Sequence, residues 1–211
     1  PPGTVLLVTG SNMSGKSTLL RAIGANAVLA LAGAPVCAAH LRMTPVRVWT
    51  AMRVQDSLSR GVSYFMAELQ RLKQVVDAAR EAAAENRERR SDGRDRVKGD
   101  GRANDVAPVL YLLDEILHGT NTAERQIAAQ RVIAYLVDQG AIGAVSTHDL
   151  SLAEAPALQG ALRLVHFTET IRRADGRMAM SFDYKLREGV ATSTNALALM
   201  EMVGLGFSDG P

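Results

Sequence analysis

A short apolar run, "TVLLVT" (Thr4 to Thr9), leads directly into "GSNMSGKST" (Gly10 to Thr18), and this junction limits the possible folds more than any other feature of the chain. An uncharged, β-branched run of this kind suits a central parallel strand buried on both faces. Gly10 and Gly15 bracket the residues ahead of Lys16 and Ser17 in the G-x-x-x-x-G-K-[ST] spacing. Glycines there let backbone N–H groups curl around an anion, and a helix starting near Lys16 adds its positive end. The strand before and the helix after favour a phosphate-binding loop over a structural glycine turn. On this reading Gly10, Ser11, Asn12, Met13, Ser14, Gly15, Lys16, Ser17 and Thr18 form a nucleotide loop. Lys16 neutralises β- and γ-phosphate charge, and the Ser17 hydroxyl binds Mg2+. With no nucleotide bound, Lys16 is expected to be exposed.

The rest of the chain reads as alternating strands and helices. "PVRVWTA" suits a strand, and a long amphipathic helix from Tyr64 sets Phe65, Leu69, Leu72, Val76 and Ala79 on one face. Val109 to Leu113 and "AIGAVSTH" read as two further buried strands. Asn121, with Glu124 three positions on, marks the start of a helix that Gly140 closes. "LRLVHFTETI" and "RMAMSFDYKL" suit an antiparallel hairpin turning at Asp175-Gly176, and a last helix is expected at "TNALALMEMVG". The expected fold is therefore α/β, of P-loop type: a mostly parallel sheet flanked by helices, with an antiparallel edge hairpin.

At 211 residues the chain is long enough for one domain with a sizeable core. It starts on Pro1 without Met, and is expected to be a fragment of something longer. Asn86 to Asp105, "NRERRSDGRDRVKGDGRAND", is charged and almost free of large apolar groups, which suits a mobile surface insertion. Ala22 to Ala39 carries no charge, but Gly24, Asn26, Gly33 and Pro35 interrupt it, so a buried core helix is expected there and not a membrane span. A net charge of +2 argues neither for nor against nucleic acid. The single cysteine, Cys37, excludes an internal disulfide and fits a cytoplasmic protein.

Three further places carry chemistry. "VLYLLDE" delivers Asp114 to the carboxyl edge of the sheet, beside the loop, where it can hold Mg2+ directly or through water. Glu115, one residue on, can orient and deprotonate an attacking water. In "STHD", His148 reaches the same edge and can contact the γ-phosphate or that water; the plainer alternative is a satisfied loop histidine. Ser63, in "RGVSYFMAEL", precedes the long helix and could simply cap it.

"GSNMSGKST", "DSLSRGVSYFMAEL", "LLDEILHGTNTAER" and "STHD", in that order, resemble the ATPase domain of the MutS family of DNA mismatch-repair proteins. The closing "FDYKLREGVATSTNALALMEMVGL" is similar to that domain's end. Asn12 and Met13 match the family's G-P-N-M loop and mark this branch of the ATP-binding-cassette-like ATPases. The resemblance implies ATP and Mg2+ as ligands and a homodimer with composite sites. Lys16, Ser17, Asp114, Glu115 and His148 would come from one protomer, and Ser63 would reach in trans to the γ-phosphate of the ATP on the other. Asn12 would lie close to that phosphate, and "HGTNT" would cross between the sites. DNA contact is expected through upstream domains that this chain lacks, and no membrane contact.

Ser11 in place of the family's proline, "QDSL" for "SDDL" and "HGTNTAER" for "RGTSTFDG" suggest a divergent branch. Phe167-Thr168-Glu169 has the form of the family's mismatch-reading pattern, but it falls on a hairpin strand and is given no such role. The expected function is an ATPase that couples its nucleotide state to DNA binding, in mismatch repair or related DNA metabolism. The alternative is a cassette-like ATPase with another task, such as transport or membrane-associated signalling. A transport motor normally carries L-S-G-G-Q ahead of its catalytic strand, and this sequence does not.

Overall fold

The computed structural model describes residues 2–11, 13–52, 64–91, 106–117, 121–174 and 177–191. Its main sheet has six strands in the order β2-β3-β4-β1-β5-β8. These are β1 (Val5–Thr9), β2 (Arg47–Ala51), β3 (Val109–Asp114), β4 (Ile142–Ser146), β5 (Leu162–His166) and β8 (Arg187–Glu188). The first five run parallel, and β8 pairs antiparallel with β5 to form one edge. The hairpin is present as β6 (Glu169–Ala174) and β7 (Arg177–Phe182), but these pair with each other in a separate two-stranded sheet. The antiparallel edge of the main sheet is therefore β8, a short strand that follows the hairpin. The Asp175-Gly176 turn and the last expected helix lie outside the described residues.

Strand alternation divides the core in two. Val5, Leu7, Val109, Tyr111 and Leu113 face α2 (Tyr64–Ser91) and α3 (Thr122–Asp138). Val8, Leu112 and Ala144 face the other way and pack with Leu20 of α1 (Lys16–Leu31). Each fully buried leucine in these layers contributes roughly 2 kcal/mol of transfer free energy. The Tyr111 ring lies across Gly143, its register partner on β4; a Cβ there would come within 2.0 Å of ring carbons, so only glycine fits.

Three expectations change in detail. Helix α1 stops at Leu31, followed by Gly33 at φ 72°, so Ala22 to Ala39 is not one helix. Among the described residues no helix is long and apolar enough to cross a membrane. On α2, Leu72 and Ala79 are buried as expected, but Leu69 is exposed, and Glu68, Val75, Ala78 and Ala82 complete the buried face. Finally, α2 continues through Ser91, six residues into the charged stretch, where Asn86 accepts from the Val106 amide at 2.6 Å. Residues 92–105 lie outside the described residues.

Candidate functional site

The polar groups buried in this domain concentrate where β1, β3 and β4 end. Thr9, Ser14, Lys16, Asp114, Ser146 and Thr147 are all buried there. Parallel strands aim their carboxyl ends at one edge, so three separated segments meet around the loop between β1 and α1.

The loop depends on its glycines. Gly10 sits at φ 137°, and a Cβ would meet the Phe167 carbonyl at 2.9 Å. Gly15 sits at φ 106° and forms the N-terminal boundary of α1. Phe167 is itself buried, and its amide donates to the Thr9 carbonyl at 3.1 Å. That contact gives Phe167 a structural task; Phe167 and Thr168 lie between β5 and β6, and only Glu169 is on the hairpin strand where all three were expected. Met13 is 84% exposed at φ 69°, and Thr18 is also exposed. Ser11 Oγ and Ser14 Oγ are buried without a hydrogen-bond partner among the described residues, which suits a loop whose polar atoms line an anion cradle.

Lys16 is buried, contrary to the expectation of an exposed side chain. Its ammonium donates to the Gly10 and Ser11 carbonyls at 2.8 Å each and lies 3.5 Å from Glu115 Oε1. The loop folds back over its own cation, because a buried ammonium needs acceptors.

Ser17 Oγ donates to Asp114 Oδ1 at 2.9 Å, and Ser146 Oγ donates to the same oxygen. Ser17 and Asp114 are thus adjacent at the start of α1 and are the pair that could hold a divalent cation. Among the described residues no group of three or more His, Cys, Asp and Glu side chains converges. A cation here would draw its remaining ligands from water and a bound anion, as Mg2+ commonly does.

Glu115 occupies the left-handed region at φ 49°, as does Leu117 at φ 64°. For residues with a Cβ such backbone costs on the order of 1 kcal/mol each. Two contacts hold the turn: the Glu115 amide donates to the Ser146 carbonyl at 3.1 Å, and the Leu117 amide donates to the buried Glu68 carboxylate of α2. Two cationic or ionisable groups approach the same Glu115 oxygen, Oε1: the Lys16 ammonium and His148 Nδ1, the latter at 3.7 Å. His148 lies two residues past the end of β4 and is half exposed, so it can reach an incoming group. Asn12, Ser63 and His118 to Thr120 lie outside the described residues. Asn121 caps α3, accepting from the Glu124 amide at 2.9 Å.

Sequence reasoning missed several members of the site. Ser146 and Glu68 hold Asp114 and the turn after it across long sequence separations, with no local signal to mark them. Tyr184 is 65% exposed at φ 54°, and its ring lies 3.3 Å from the position of a Cβ on Gly15. It lies far along the chain from the loop, and no local signal marks it as a neighbour of Gly15.

The family model for MutS domain V matches residues 6–84, a span that includes the loop and the first part of α2. Curated MutS proteins are similar to this chain over most of its length. DNA mismatch repair protein MutS of Natronomonas pharaonis is 33% identical over 202 residues, covering 94% of this chain and 20% of that protein. DNA mismatch repair protein MutS 2 of Halobacterium salinarum is 33% identical over 205 residues, covering 95% of this chain and 20% of that protein. MutS 2 of Haloarcula marismortui is 34% identical over 203 residues, 94% of this chain and 18% of that protein. The chain therefore spans about one fifth of the length of the curated MutS relatives it matches.

Proposed function

We propose that this chain is the ATPase domain of a MutS-type protein, with a P-loop fold of the ATP-binding-cassette kind, and that it binds and hydrolyses MgATP. The observation that carries this reading is the contact between Ser17 of the glycine loop and Asp114 at the end of β3, residues 97 positions apart joined at 2.9 Å. The loop amides and Lys16 would hold the phosphates, so the Lys16 ammonium must exchange its loop carbonyls for phosphate oxygens. The exposed Tyr184 ring offers a stacking surface for the nucleobase. Ser17 and Asp114 would hold Mg2+. When bound, the ion screens the phosphate charge. Glu115 takes the proton of an attacking water, and its strained backbone, pinned by Ser146 and by Glu68 through Leu117, fixes the carboxylate before substrate arrives. His148, 3.7 Å from that carboxylate, would reach the same water or the γ-phosphate.

The MutS relationship supports a composite dimer, with Asn12 near the γ-phosphate and Ser63 completing the partner's site. It also supports a full-length protein that couples ATP state to DNA binding in mismatch repair or a related process. Ser11 in the loop and the "NTAER" start of α3 favour a divergent branch. The test mixes two inactive variants of the full-length protein. Ser63→Ala supplies an intact loop and Glu115, and Lys16→Ala supplies an intact Ser63, so a mixed dimer holds one complete site. ATP turnover should partly return on mixing. No recovery in a demonstrated mixed dimer contradicts the composite site, and no ATP turnover by the wild type contradicts the ATPase reading.

A further inference from the structure

Asp149 ends the "STHD" motif, and the function above does not use it. Its carboxylate gathers donors from two elements. Gln126 Nε2 of α3 donates to Oδ1 at 3.2 Å, and the Ser151 amide, which opens the short helix α4 (Ser151–Glu154), donates to the same oxygen at 3.0 Å. Arg125 Nη2, also of α3, lies 3.9 Å from Oδ2. The Asp149 amide donates to Thr147 Oγ1 at 2.9 Å, and the Thr147 amide donates to the Val8 carbonyl of β1 at 3.1 Å. Burial pushes the Asp149 carboxyl up, but hydrogen bonds from Ser151 and Gln126 and the charge of Arg125 outweigh it and hold the group below the ordinary carboxylate range. A carboxylate that only started a four-residue helix would need the Ser151 contact alone. The two α3 contacts go beyond that.

Between these tethers sits His148, with its imidazole 3.7 Å from Glu115. Resting on the ATPase reading above, we propose that Asp149 is a positioning residue: it ties the His148 segment to the first turns of α3, so that the placement of His148 against Glu115 depends on where α3 sits. Fixing both neighbours of a half-exposed histidine restricts where its ring can go.

The test is a pair of double-mutant cycles on the full chain. Asp149→Ala should lower ATP turnover by about tenfold, leaving MgATP affinity within about twofold, because the geometry of the reacting groups is disturbed and not the phosphate grip. In a His148→Ala background the same change should cost less than about twofold, since the group it positions is gone. An equal loss in both backgrounds, or no loss in either, overturns the proposal. The second cycle needs no activity. Gln126→Ala, far along the chain from His148, should shift the His148 ring signal in a carbon–proton NMR spectrum, and should do so less in an Asp149→Ala background. A ring signal blind to Gln126→Ala overturns the proposal even if Asp149→Ala proves unstable. If the ring responds as expected and the wild type hydrolyses no ATP, the positioning role stands and the ATPase reading fails.

Discussion

Strand β3 and the turn after it are neighbours in sequence and opposites in physics. From Val109 to Leu113 the strand is apolar and regular, alternating its side chains between two core layers. From Asp114 to Leu117 the chain carries a buried carboxylate, a second carboxylate facing Lys16 and His148, and two non-glycine residues at positive φ. The first part stabilises the fold by burial. The second sets ionisable groups and left-handed backbone against the burial of Ile116 and Leu117, which join the same core as β3. The change occurs within one residue, at the carboxyl edge, because that edge is the place where parallel strands stop hydrogen-bonding to each other and their side chains can face a ligand.

Substitutions on the two sides of this boundary should therefore separate stability from activity. The largest effect is expected at Leu113, which is fully buried. Leu113→Ala should cost about 2–5 kcal/mol in denaturant unfolding, the range for a buried leucine truncated to a cavity. Molecules that remain folded should keep their nucleotide affinity. Two residues on, Glu115→Gln should change stability by only about 1 kcal/mol while slowing ATP turnover by roughly a hundredfold, about 2.7 kcal/mol of barrier. Wild-type turnover in that variant would move the base to another group, with His148 the next candidate.

A smaller effect belongs to Tyr111, buried in the apolar half with no partner for its hydroxyl among the described residues. Burial pushes its phenol well above the ordinary tyrosine value. A raised folded pKa means that the stabilising contribution is intact below the unfolded value near 10 and is lost as pH climbs above it, by up to about 1.4 kcal/mol per pH unit. Unfolding measured from pH 9 to 11 should reveal this fall, and Tyr111→Phe should remove it. The same slope in both proteins would assign the alkaline loss to another group.

Much of this was legible in the sequence where the signal is local. β1, the glycine loop and the start of α1 follow from contiguous residues, as do β3 with Asp114 and Glu115, and the Asn121 cap of α3. Long-range contacts were not legible. Glu68 reaches Leu117 across 49 positions and Ser146 reaches Asp114 across 32, and nothing in either local sequence announces the partner. Leu69 fits the helical stripe of α2 yet is exposed, because the adjoining sheet selects a face centred on Leu72 and Val75. A hairpin forms as a local unit from β6 and β7, but the run "LRLVHFTETI" read as its first strand is two strands: β5, parallel to β1 in the main sheet, and the start of β6. Lys16 was expected in solvent because phosphate is its usual partner; the loop's own carbonyls take that place.

That last point bears on the central claim, that the loop and its lysine form a MgATP site. The most direct measurement is a calorimetric titration of MgATP into the wild type and into Lys16→Ala, with unfolding of both followed in parallel. Because Lys16 is buried and bonded to two carbonyls, its removal should now cost about 1–2 kcal/mol of stability, leaving the domain folded. The account predicts saturable binding to the wild type and at least about tenfold weaker binding to the variant, a difference of about 1.4 kcal/mol or more. Equal affinity in two folded proteins would contradict it.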